Sequence, residues 1–124
     1  MDVHALVIDD SRAIRLILAR MLRELGFEVD EATNGREGLA RLEDGETPDL
    51  VLVDWNMPEM SGIDFVTAAR KPPYSSTARL MMVTTETEVP QMVRALEAGA
   101  DEYVMKPFTR EAIVEKLQLL GLEV

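Results

Sequence analysis

A chain of 124 residues, 47% apolar and 29% charged, has the composition of an ordinary folded globule and fits a single domain with one core. The absence of cysteine excludes disulfides and thiolate metal sites, and a net charge of −10 argues against direct nucleic-acid binding, which needs a basic face. No apolar run reaches the roughly 18 residues of a membrane span and no basic-then-apolar stretch opens the chain, so a cytoplasmic protein without a membrane partner is expected, with residues 1–124 as one domain.

From Ala5 to Ile8 the sequence reads as a short buried strand. Ser11 to Leu25 follows with Ile14, Ile17, Leu18, Met21, Leu22 and Leu25 at helical spacing, and Gly26 marks the helix end. Phe27 to Ala32 reads as a second strand. Asn34, with Glu37 three residues on, fits a capping arrangement for a helix ending near Gly45. The run from Asp49 to Val53 suits a third strand covered on both faces. Ser61 and Asp64 repeat the cap signal for a third helix, which Pro72-Pro73 stops, and Lys71 to Ala78 forms the longest loop. Leu80 to Val83 is the fourth strand, and Pro90 fits the first turn of a helix that carries Val89, Met92, Val93 and Leu96 inward and ends at Gly99. Asp101 to Met105 is the fifth strand. Thr109 caps a last helix with Ile113, Leu117 and Leu120 on its apolar face.

Strict alternation of strand and helix predicts a doubly wound, flavodoxin-like α/β fold: five parallel strands in the order 2-1-3-4-5, flanked by five helices. In such sheets ligands bind outside the carboxyl ends of the strands. Four of the apolar runs end there on residues suited to phosphate: Asp9-Asp10, Asp54, Thr84 and Lys106. Each has a plainer reading, as a helix cap or a solvated strand end. Together they do more. Three carboxylates in one pocket repel one another unless a cation or proton intervenes, and an oxygen-only donor set suits Mg2+. A lysine facing them offsets the charge of an incoming phosphoryl group, and a threonine hydroxyl can donate to it.

The chain resembles the receiver domain of two-component response regulators, in particular the single-domain chemotaxis (CheY-like) type. The resemblance runs over essentially the full length and rests on VIDDS at the first strand end, LVDWNMPEMSG from Leu52 to Gly62, MVTTE from Met82 to Glu86 and AGADEYVMKPF from Ala98 to Phe108. It implies phosphorelay signalling by a stand-alone response regulator without an output domain. Asp54 would accept a phosphoryl group from a histidine kinase, forming an acyl phosphate. Asp9, Asp10, Asp54 and the backbone carbonyl of Asn56 would hold Mg2+, and Thr84 and Lys106 would bind the phosphoryl oxygens. The family's switch draws the threonine inward and turns an aromatic, here Tyr103, from exposed to buried. That change remodels the face of helix 4, strand 5 and helix 5 for a protein partner. A flagellar-motor or kinase-network component is the partner that the chemotaxis type suggests. By the same resemblance the Lys106-Pro107 bond is cis, Asn56 and Glu86 tune how readily water attacks the phosphoryl group, and the protein is a monomer that catalyses only its own phosphoryl transfer and autodephosphorylation.

One departure stands out. Thr85 occupies a position where the family commonly has Ala or Gly, and its bulk is expected to narrow access to the site and so tune rates. A phosphorylation-independent pseudo-receiver is the alternative, although such modules usually lack an acid, the threonine or the lysine. An aspartyl phosphohydrolase would need an acid two residues beyond Asp54, where Asn56 stands. His4, the sole histidine, fits a strand end, and Trp55, beside the acceptor, is placed to report binding through its emission.

Overall fold

β1 (Val3–Ile8), α1 (Arg12–Glu24), β2 (Phe27–Ala32), α2 (Gly35–Glu43), β3 (Leu50–Val53), α3 (Gly62–Arg70), β4 (Arg79–Thr84), α4 (Val89–Ala98), β5 (Glu102–Met105) and α5 (Arg110–Leu119) succeed one another in a computed structural model that describes residues 3–43, 47–85 and 88–124. All strand pairs are parallel, and the order is β2-β1-β3-β4-β5, as the alternation predicts. Among the described residues no helix is long and apolar enough to cross a membrane.

Successive side chains of a strand point to opposite faces, and this splits the core into two layers. Leu6 and Ile8, Val51 and Val53, and Leu80 and Met82 meet Leu39 of α2, Phe65 and Val66 of α3 and Ala95 of α4 in one apolar cluster. Ala5 and Val7, Leu50 and Leu52, and Met81 and Val83 meet Leu18 and Leu22 of α1 and Ile113 and Leu117 of α5 in the other. The central strand β3 is therefore buried at every position, which explains why its sequence is unbroken by polar residues.

The helix starts follow the local chemistry. Side-chain oxygens of Ser11, Ser61 and Thr109 accept from the backbone N–H groups of Ile14, Asp64 and Ala112, and Asn34 Oδ1 accepts from Glu37 N at 2.8 Å. The Glu37 carboxylate in turn accepts from the Thr33 hydroxyl at 2.7 Å, and that bond holds its pKa below the ordinary carboxylate value. The predicted end of this helix near Gly45 lies outside the described residues.

Two expectations about helix faces need correction. Val89, Val93 and Leu96 of α4 do not point inward: they are 68%, 44% and 49% exposed, while Ala95 is buried and Met92 is packed against the first cluster. Ile17 of α1 is likewise exposed. Both helices have apolar stripes wider than the sheet can cover, and the edge of each stripe faces solvent.

At the end of the sheet where the strands begin, Arg70 ties several segments together. Its Nε and Nη2 donate to Gly99 O at 3.0 and 2.9 Å, its Nη1 to Ser76 O and Ala78 O at 2.9 and 2.7 Å, and Nη2 also to Asp101 Oδ2 at 2.9 Å. The loop from Lys71 to Ala78, with a cis Pro72-Pro73 bond, is thereby fastened to the end of α4 and the start of β5.

Candidate functional site

Strand register assembles the site. Ile8 pairs with Val53 across β1 and β3, so the next residues, Asp9 and Asp54, emerge side by side, with Asp54 N donating to Ile8 O at 3.1 Å. Thr84 pairs with Met105 across β4 and β5, and Lys106 N donates to Thr84 O at 2.8 Å. Residues distant in sequence thus meet at one edge of the sheet.

Carboxylate oxygens of Asp9, Asp10 and Asp54 lie within 4.8 Å of one another. Lys106 Nζ stands 3.0 Å from Asp9 Oδ2 and 3.4 Å from Asp54 Oδ2, bridging the two buried acids. The second oxygen of Asp9, Oδ1, accepts from Ser11 N at 2.9 Å. Asp9, Asp54 and Thr84 are the buried polar residues among those described, whereas Asp10, Asn56 and Thr85 are exposed at the rim. The Lys106-Pro107 bond is cis.

Burial pushes the Asp54 carboxyl above its ordinary pKa; the Lys106 ammonium draws it back, and the neighbouring Asp9 carboxylate adds to the rise. A lysine alone therefore does not fully compensate the acids. Three carboxylates, one of them open to solvent, form an all-oxygen set that fits a hard divalent cation retaining several waters.

Tyr103 is 8% exposed and sits among the side chains of the first apolar cluster, the buried placement of the two that the family resemblance describes. Trp55 is also buried in that cluster. Glu86 lies outside the described residues. His4 is at the start of β1, the end opposite the site, with Nδ1 3.2 Å from Glu28.

Two residues of the site have roles that their place in the sequence does not disclose, although Gly62 closes the motif that begins at Leu52. Arg15, in the first turns of α1, donates from Nη1 to Asp9 O at 2.8 Å and from Nε to Glu31 at 3.1 Å, fixing the backbone that bears the first acid. Gly62 starts α3 against the Asp54 carbonyl, where a Cβ would lie 2.1 Å from that oxygen. An arginine on an amphipathic helix reads as a surface charge, and the serine-glycine pair at the start of α3 reads as a helix start. Only the folded chain shows what each one touches.

The response regulator receiver domain family matches residues 5–118. The chain is 38% identical over 116 residues to the chemotaxis protein CheY1 of Helicobacter pylori, which covers 93% of this chain and 94% of that protein. It is 39% identical over 114 residues to the chemotaxis protein CheY of Pseudomonas aeruginosa, covering 91% of each. The solved structure of the chemotaxis response regulator CheY4 of Vibrio cholerae matches with a TM-score of 0.89 and 33% identity over 97% of this chain and 99% of that one. The response regulator TrrA of Thermotoga maritima, solved in complex with Mg2+ and BeF, matches with a TM-score of 0.82 and 35% identity over 95% of this chain and 98% of that one.

Proposed function

The chain belongs to the response regulator receiver domain family, and from that premise we propose that Asp54 is its phosphoacceptor in a Mg2+-dependent reaction with a histidine kinase. Receivers are signalling proteins and not conventional enzymes; they take phosphate from histidine kinases and act on protein partners. The observation supporting Asp54 is its position: a buried carboxylate at a strand end, with two further acids and a lysine converging on it.

In this reading an Asp54 carboxylate oxygen attacks the phosphorus of a phosphohistidine. The new O–P bond forms as the N–P bond breaks, and the imidazole leaves with the electron pair of that bond. Asp9, Asp10, Asp54 and the backbone carbonyl of Asn56 would hold Mg2+, which when bound offsets charge on the phosphoryl oxygens and orients them. Lys106, already within ion-pair distance of Asp54, turns to a phosphoryl oxygen, and the Thr84 hydroxyl donates to another. Asn56 and Thr85, exposed at the mouth, control the approach of water, and Glu86 is assigned the same task from its place in the sequence.

The output follows from charge and packing. Loading Asp54 draws on Thr84 and Lys106, which sit at the ends of β4 and β5, beside Tyr103. The neighbouring face offers a groove of about 550 Å³ lined by Met92, Leu96, Tyr103, Met105, Phe108 and Lys116. Leu96 and Met105 on it are 49% and 46% exposed, and contiguous exposed apolar side chains mark protein contact sites. This face is the docking surface for the output partner, a flagellar-motor or kinase-network protein acting in the cytoplasm.

Incubation with Mg2+ and phosphoramidate, read by intact-protein mass, tests the acceptor. A gain of one phosphoryl group that Asp54→Ala abolishes is expected. Wild-type protein that stays unmodified under excess donor and metal would leave a phosphate-independent interaction module as the reading.

A further inference from the structure

α4 is held loosely along most of its length and firmly at one end. Among its residues Ala95 alone is buried, and the N-cap residue Glu88 makes no side-chain capping bond. By contrast α3 buries Phe65, Val66 and Ala69. The final turn of α4 is anchored through the two bonds from Arg70 to Gly99 O. Midway along the helix, the guanidinium of Arg94 lies over the ring of Trp55, with Cζ 5.9 Å from the ring centroid. Trp55 directly follows Asp54 and is fixed in the core at 8% exposure, whereas Arg94 is exposed, so Arg94 is the partner free to leave.

We propose that Arg94 is a positioning residue that holds α4, through Trp55, in the arrangement of the unphosphorylated site, and that the contact opens when Asp54 is loaded. The inference rests on the reading of Asp54 as the phosphoacceptor. The contact is seen with Lys106 paired directly to the Asp9 and Asp54 carboxylates, a pairing that a phosphoryl group on Asp54 would break, while Tyr103 already has its buried placement, so the ring of Tyr103 and the Arg94 contact are set separately. A phosphoryl group must displace Lys106 from that pairing, and the backbone that carries Trp55 then borders a dianion. An exposed cation–π contact biases a two-state equilibrium by about two- to fivefold, enough to tune the switch and too little to lock it. A contact present in one state only shifts the population by its own strength, and loading and contact are linked reciprocally.

Trp55 is the sole tryptophan of the chain, so its emission reports the contact directly. The test compares the full-length wild type, Arg94→Met and Arg94→Lys with and without Mg2+ and beryllofluoride, a phosphoryl mimic. Affinity is measured by calorimetry and the state of the ring by emission. Arg94→Met is expected to alter Trp55 emission in the unloaded protein, to lose most of that difference from wild type on loading, and to bind beryllofluoride about two- to fivefold more tightly. Arg94→Lys, which returns a cation to the ring, should fall between the two. Unchanged or weaker binding by Arg94→Met, or an emission difference that survives loading undiminished, overturns the proposal while leaving the acceptor assignment intact. A wild type that binds no beryllofluoride overturns the acceptor assignment, and this inference with it.

Discussion

Replacing Gly62 with alanine should damage the site without touching any charged group. The added Cβ would lie 2.1 Å from the Asp54 carbonyl oxygen and 2.9 Å from its carbon, whereas real Cβ contacts do not fall below 3.0 Å. The two backbones must therefore part by about 0.9 Å, the difference between 3.0 and 2.1 Å. Neither yields readily, because Gly62 N donates to Trp55 O at 2.8 Å and Asp54 N is bonded to Ile8 O at 3.1 Å. Ordinary overpacking costs about 1–3 kcal/mol, and a backbone-on-backbone collision belongs at the upper end, about 3 kcal/mol. For a chain of this size that lowers the melting temperature by roughly 10 °C. A displacement near 1 Å at the acceptor should also slow phosphorylation on the order of a hundredfold. Melting curves and the rate of phosphoramidate labelling give both quantities. Gly35→Ala is the control, since its Cβ would meet only the flexible Met60 side chain, at 2.9 Å, and should cost about 1 kcal/mol or less. A Gly62→Ala protein that melts within about 2 °C of wild type and labels at the wild-type rate would refute the reasoning.

Two further outcomes follow from the electrostatics of the pocket. Lys106→Met leaves Asp9 and Asp54 facing each other without their shared ammonium, which should cost about 3 kcal/mol in a chelated sample and be partly recovered by millimolar Mg2+; a melting temperature equal to wild type under chelation speaks against the bridging role. Asp54→Asn tests the raised carboxyl. Because the folded-state pKa lies above the unfolded one, Asp54 favours the native state at pH values below its unfolded pKa and loses that contribution as pH rises through the folded pKa. The neutral variant should therefore be the more stable protein at pH 7 without metal, and its advantage should vanish toward pH 4; an advantage independent of pH would count against burial as the cause.

The fold was legible because three independent signals agree along this chain: unbroken apolar runs for buried strands, capping residues such as Ser11, Ser61 and Thr109 for helix starts, and Gly26 and Gly99 for helix ends. The acids, Thr84 and Lys106 were legible for a different reason, since residues at the carboxyl ends of parallel strands share one edge whatever their separation in sequence. The outward turn of α4 was not. Periodicity identifies a stripe on a helix but says nothing about how much of it a neighbour covers, and Val89, Val93 and Leu96 look the same whether they face a core or a partner. Arg15, Gly62 and Arg94 share another limitation. What matters about them is a contact outside the reach of helix or strand periodicity, with a backbone carbonyl six or eight residues back for Arg15 and Gly62 and with a ring 39 residues back for Arg94, and no local pattern encodes it.

The bolting of Gly99 by Arg70 turns α4 into a lever. With a rise of about 1.5 Å per residue, Arg94 stands roughly 7.5 Å from that fulcrum and Val89 roughly 15 Å. Any tilt about Gly99 therefore moves the Val89 tip about twice as far as it moves Arg94. Val89, at 68% more exposed than Val93 or Leu96, is at the end with the longest travel. A sub-ångström tilt beside Trp55 would reach the surface about doubled, with no deformation of the sheet beneath it required.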